Sequence, residues 1–144
     1  MDAKTQPITV QTKIKARKDK VWEYWTIPDH IKNWNFASSD WACPEARNNL
    51  EVNGVFSYRM ESKDGKIGFD FEGTYYNILE EELIAYKMTD GRSVSIEFLQ
   101  DEDFTIVTET FEPEHENSKE LQKQGWQAIL DNFKGYVESQ SLTD

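Results

Sequence analysis

The spacing of apolar residues changes along the chain, and each change marks a new kind of element. Residues 8–14 alternate apolar and polar with β-branched side chains, the period of two of a half-buried strand. Within residues 16–25, Val21, Trp22 and Trp25 fall at helical spacing and predict a short helix. Pro28 ends it and suits the first turn of a second short helix through residues 29–34, because its φ is fixed and its N–H is not needed there. Residues 35–49 carry Phe36, Trp41 and Pro44 without a period. That is long for a plain connection and reads as a functional or mobile loop.

From residue 50 the period of two returns. Residues 52–61 turn at Asn53-Gly54 and then set Phe56, Tyr58 and Met60 against Ser57, Arg59 and Glu61. Asp64-Gly65 is a hairpin signal. Residues 68–78 place Phe69, Phe71, Gly73 and Tyr75 opposite Asp70, Glu72 and Thr74. Strands over 83–88, 93–98 and 104–111 follow, separated by Asp90-Gly91 and by residues 100–103. Tight turns at this spacing make an antiparallel meander.

Pro113 closes the last strand, and residues 117–138 form the longest helical pattern. Trp126, Ile129, Leu130, Phe133, Tyr136 and Val137 share one face, an arc of roughly 120° at about 100° per residue. Lys123, Gln127, Asp131, Lys134 and Glu138 fall opposite, and Asn117 or Ser118 is the expected cap. Gln122 interrupts the apolar stripe and needs a partner, a water or a ligand. The order predicts an α+β fold. A curved antiparallel sheet of about six to seven strands wraps around a long C-terminal helix, with two short helices after the first strand.

Composition narrows the class. The chain has 144 residues, 38% hydrophobic and 30% charged, which suits one soluble globular domain. Aromatics reach 13%, with five tryptophans, a load that calls for a dense core or a lined pocket. The net charge of −11 argues against nucleic acid and anionic membranes as partners and leaves a basic partner open. Cys43 is the only cysteine, so no internal disulfide or cysteine metal cluster is expected. Residues 1–7 lack an apolar run, which predicts no signal peptide, and no stretch approaches the ~20 apolar residues of a membrane span. The expected compartment is the cytoplasm.

Catalytic chemistry is hard to assemble from these residues. The two histidines, His30 and His115, lie in different regions, so no metal site is expected. His30 precedes the aromatic loop and reads as a surface or helix-stabilising residue ahead of a proton carrier at a cavity mouth. Cys43 stands between Asp40 and Glu45, which would raise its pKa and leave it unreactive. Asp70 and Glu72 share one strand face, but that face is opposite Phe69 and Phe71 and should be wet. Arg59 is expected to pair with one of them across the sheet. No catalytic set, metal or cofactor is predicted.

The element order resembles the helix-grip fold of the START-like superfamily. The closer resemblance is to its activator of heat-shock protein 90 ATPase, C-terminal-like branch. It rests on Val21-Trp22-Glu23-Tyr24-Trp25, Pro28-Asp29-His30-Ile31 with Trp34, Gly54-Val55-Phe56 with Tyr58-Arg59-Met60 and Asp64-Gly65, Gly68-Phe69-Asp70-Phe71-Glu72-Gly73-Thr74-Tyr75, and Gly125-Trp126-Gln127-Ala128-Ile129-Leu130-Asp131-Asn132-Phe133-Lys134. The resemblance implies one START-like domain over residues 1–144 with a cavity between sheet and helix for an apolar or amphipathic small molecule. It also implies a chaperone as an alternative partner. Some enzymes of small aromatic compounds belong to the superfamily, which makes catalysis a third reading.

Two readings of the aromatics stay open together, a solid core and a pocket. Candidate cavity-lining residues are Trp25, Trp34 and Trp41 from the short helices and loop, and Phe56, Tyr58, Phe69, Phe71 and Tyr75 from the sheet. Gln122, Trp126, Ile129 and Phe133 come from the long helix. Phenol hydroxyls and Gln122 would be polar handles in an apolar wall, the usual make-up of a small-molecule site.

Overall fold

The alternating segments pair into one antiparallel sheet, and the long amphipathic helix covers its concave face. The computed structural model describes residues 6–141. Residues 1–5, part of the stretch read as lacking a signal peptide, lie outside the described residues. The elements run β1 (Ile8–Ile14), α1 (Lys18–Thr26), α2 (Pro28–Ile31), β2 (Trp41–Asn48), β3 (Val55–Ser62), β4 (Gly68–Leu79), β5 (Leu83–Met88), β6 (Ser93–Asp101), β7 (Phe104–Phe111) and α3 (Lys119–Ser141). The seven strands follow the order β1-β7-β6-β5-β4-β3-β2. Only the β1–β7 pairing joins strands distant in sequence; α1 packs against β6 and β7, and α2 against β2 at the other edge of the sheet. This is the α+β helix-grip fold that the pattern predicts.

The loop expected over residues 35–49 is corrected in its second half. Trp41–Asn48 is an edge strand paired with β3, and its register shifts between Ala42 and Glu45. Pro44 sits within that irregularity. Proline has no N–H to give a ladder, so strands tolerate it at edges and bulges. The irregularity also scrambles the in–out alternation, which is why no period of two is visible there.

Alternation is clean in β1 and β7. Ile8, Val10, Thr12 and Ile14 of β1 face inward, as do Thr105, Val107, Glu109 and Phe111 of β7. The expected cross-strand pair forms on the outer face: Arg59 opposes Asp70 in register, with a guanidinium–carboxylate distance of 3.4 Å. Arg59 also meets Glu61 at 3.2 Å.

Helix α3 begins at its predicted cap, where the Leu121 N–H donates to Ser118 Oγ at 3.1 Å. Leu130, Phe133 and Val137 are fully buried, while Lys123 and Asp131 are exposed. Ties on both flanks hold the helix in place. Gln127 Nε2 donates to the Gln11 carbonyl at 3.1 Å, and the Lys15 N–H donates to Glu138 Oε2 at 3.0 Å. On the other flank Asn132 Nδ2 donates to the Trp34 carbonyl at 2.8 Å, and the Tyr136 hydroxyl meets His30 Nδ1 at 2.7 Å. These ties hold α3 against β1 and the short helices, and the β3–β5 half of the sheet curls away from it.

Candidate functional site

That curl leaves space under the helix. A cavity of about 190 Å³ is lined by Trp25, Trp34, Asn35, Phe56, Tyr58, Met60, Phe69, Phe71, Tyr75, Ile84, Tyr86, Glu109, Trp126 and Ile129. Four of the strands contribute from inward positions. Phe56, Tyr58 and Met60 come from β3, Phe69, Phe71 and Tyr75 from β4, Ile84 and Tyr86 from β5, and Glu109 from β7. Phe69 is 48% exposed and marks where the wall reaches the surface. Trp126 supplies the roof, stacked on Phe111 with centroids 4.0 Å apart and planes 9° off parallel. Across the space it faces the edge of Phe71 at 6.2 Å.

Gly73 explains how the floor is packed. A Cβ there would lie 2.5 Å from the Phe56 ring and 2.9 Å from the Tyr86 ring. Only a residue without a side chain lets both rings cross β4 at that depth.

Of the candidate lining residues, Trp25, Trp34, Phe56, Tyr58, Phe69, Phe71, Tyr75, Trp126 and Ile129 are brought together on this wall. Trp41, Gln122 and Phe133 are off it. Phe133 is 0% exposed and packs edge-on to Trp25 and Trp34 at 4.8 and 4.7 Å, so it belongs to the solid core. Trp41 sits against the outer part of Phe69 at 6.1 Å. Gln122 finds its partners in the chain just before the helix. Its Oε1 accepts from the Glu114 N–H at 2.9 Å, and its Nε2 donates to the carbonyls of Glu114 and Asn117 at 3.1 and 2.9 Å. It pins the β7–α3 connection.

The polar groups of the wall differ sharply in how well they are satisfied. The Tyr75 hydroxyl, beside the Tyr58 phenol, donates to Asn48 Oδ1, and Asn48 Nδ2 donates to the Thr26 carbonyl at 2.7 Å. Burial pushes the Tyr75 phenol up to about 12, and burial also raises Tyr58 and Tyr86. Asn35 Nδ2 lies 3.2 Å from Met60 Sδ.

Glu109 has no comparable support. It is 6% exposed, and among the described residues no hydrogen bond meets its carboxyl. Among the described residues every fully sealed side-chain nitrogen or oxygen has a partner, so the Glu109 oxygens front the cavity rather than packed protein. Its ladder neighbours are Val10 and Ile96, both buried and apolar. Desolvation pushes the carboxyl up to about 8.

The residue patterns singled out Phe56, Tyr58, Phe71 and Trp126 but not Glu109. The signal was present: Thr105, Val107, Glu109 and Phe111 alternate on one face of β7, which puts an acid among inward positions. Ile84 and Tyr86 were readable in the same way.

Other candidates settle elsewhere. His30 ties α2 to α3 through Tyr136 rather than lining the cavity. The Cys43 thiol is pushed up, as expected, but burial does it rather than acidic neighbours, against the opposing effects of Asn35 and Lys32. Among the described residues no group of His, Cys, Asp or Glu is placed to hold a metal ion. Nor is any helix there long and apolar enough to cross a membrane.

Known proteins with this architecture include close relatives. The solution structure of an AHSA1-like protein from Aeromonas hydrophila is 41% identical, covers 94% of both chains and superposes with a TM-score of 0.89. A protein from Cytophaga hutchinsonii is 42% identical over 99% of this chain and 97% of its own, with a TM-score of 0.81. A Nitrosomonas europaea protein shares the fold at 16% identity, covering 99% of each chain with a TM-score of 0.82. No curated protein matches the chain. Residues 15–138 match the family described as Activator of Hsp90 ATPase homolog 1-like protein. The helix over a curled seven-stranded sheet, this match and two relatives above 40% identity place the chain in that family, within the START-like helix-grip superfamily.

Proposed function

We propose that the protein binds a small apolar or aromatic molecule in the cavity between the sheet and α3, as one START-like domain working in the cytoplasm. The observation that carries this reading is the wall itself: aromatic rings on nearly every side, with a few polar groups turned inward. Size limits the ligand. A cavity of roughly 150 Å³ accommodates a benzene ring. At about 190 Å³ this one suits a single ring with a short side chain.

Thermal unfolding against a panel of one-ring aromatic compounds tests the reading. A ligand at 100 times its Kd stabilises by about 2.7 kcal/mol, a rise of several degrees in Tm. Trp25, Trp34 and Trp126 on the wall should report the same binding through their fluorescence. No shift with any compound, together with unchanged tryptophan emission, would overturn it.

The family description supports a second reading, stimulation of a heat-shock protein 90 ATPase. An unchanged chaperone ATPase rate on adding the purified protein would dismiss it.

A further inference from the structure

We propose that the cavity selects a protonated amine: a one-ring arylalkylamine whose ring lies among the wall aromatics and whose ammonium group meets the Glu109 carboxylate. This rests on the cavity being a ligand site, and it names the ligand class.

The geometry leads there in three steps. First, Glu109 is almost fully buried, fronts the cavity and has no hydrogen-bond partner among the described residues. Buried carboxyl groups that serve structure are satisfied by donors from the fold. Here the Tyr86 phenol, whose ionisation the Glu109 charge opposes, makes no hydrogen bond to that carboxyl among the described residues, and the Tyr75 hydroxyl is committed to Asn48, which holds the Thr26 carbonyl. Second, no Lys, Arg or His lines the cavity, so the fold provides no counter-charge. Third, the surroundings favour a cation. Aromatic faces attract ammonium groups, more strongly when water is excluded. Phe111 lies two residues from Glu109 on the same face of β7, and Trp126 stacks on it. A ring held under Trp126 therefore has its side chain within reach of the acid. An anion would meet the carboxylate with like charge, and a purely apolar ligand would leave it unpaired.

Binding moves one proton in a defined direction. In the empty cavity the carboxyl holds its proton up to about pH 8. Pairing with an ammonium ion requires the ionised form, so binding below that pH releases a proton to water. Affinity for the amine should therefore rise about tenfold per pH unit as pH approaches 8, then flatten until the amine itself loses its charge. The other titratable groups facing the acid stay neutral across this window. They are the phenols of Tyr58, Tyr75 and Tyr86, with the Cys43 thiol behind Tyr58, and burial raises all four. Val10 of β1, Ile96 of β6, Trp25 of α1 and Trp126 and Ile129 of α3 contribute no titratable group. Arg92, which acts on Tyr86 from a distance, is held by Asp90 at 2.8 Å.

The test compares 2-phenylethylamine with its neutral isostere 2-phenylethanol by titration calorimetry. Both are measured between pH 6 and pH 9 on the full chain and on Glu109→Gln. The expected result is a preference for the amine of about tenfold or more at pH 8.5, the size of one charge-assisted contact. It should come with proton release near pH 7 and a rise in affinity towards pH 8. Glu109→Gln should lose the preference and the pH dependence while still binding the alcohol. Equal affinities, or an amine preference that survives in Glu109→Gln, would overturn this inference and leave the cavity reading standing. Failure of both compounds to bind the unmodified chain would count against both.

Discussion

Glu109→Gln should change the way stability depends on pH, and the size of the change follows from the burial of that side chain. In the unfolded chain the carboxyl ionises near 4.5, whereas in the folded cavity it holds its proton to about 8. Between those values the native state keeps a proton that the unfolded state has released. Stability contributed by the neutral acid is present at low pH, falls as pH rises through this window, and levels off once both states are ionised. At about 1.4 kcal/mol per pH unit the whole span is worth on the order of 4 to 5 kcal/mol. Glutamine keeps the shape and polarity but never ionises. The variant should match the parent near pH 4 and exceed it by several kcal/mol at pH 9. Urea unfolding followed by tryptophan fluorescence at pH 4, 6, 7.5 and 9 measures this, with an unchanged m value as the check on two-state behaviour. The many surface carboxylates cancel in the difference. A difference between the two proteins that stays constant from pH 4 to pH 9 would refute the buried, unpaired acid.

Two further substitutions separate floor from frame. Gly73→Ala puts a methyl into the Phe56 and Tyr86 rings and should cost about 1–3 kcal/mol in chemical unfolding, since a packed floor cannot yield freely; no change would mean the floor is loose. Gln122→Ala removes three hydrogen bonds at the start of α3 and should lower stability by about 1–3 kcal/mol while leaving the affinity of one-ring ligands unchanged, because Gln122 is off the wall; a fall in affinity that persists well below Tm would place it back there.

Most of the architecture is written in local periods. The inward faces of β3 and β4 and the apolar face of α3 are read from alternation and helical spacing, and the structure reproduces them. What local pattern cannot carry is where two faces fail to meet. Trp126 and Phe133 lie on the same helix stripe, yet one roofs the cavity and the other fills the core. The difference depends on how far the sheet curls from α3, a property of the whole sheet. The partners of Gln122 are likewise invisible to the helical period. A polar residue in an apolar stripe needs a partner, but its partners sit five to eight residues back in the same chain. β2 escaped notice because Pro44 and a register shift remove its alternation. Glu109 was within reach of the sequence, since an acid at an inward position of an alternating strand stands out once the strand is phased.

Ligand binding under α3 requires that the space between the helix and the sheet be an open cavity rather than collapsed rings. A high-resolution crystal structure of the protein pressurised with xenon tests it directly, because xenon enters apolar voids and binds weakly elsewhere. Xenon should appear between Trp126, Phe71 and Phe56, with Glu109 at the edge of the site. Rings collapsed into that volume, with no xenon bound there, would contradict it.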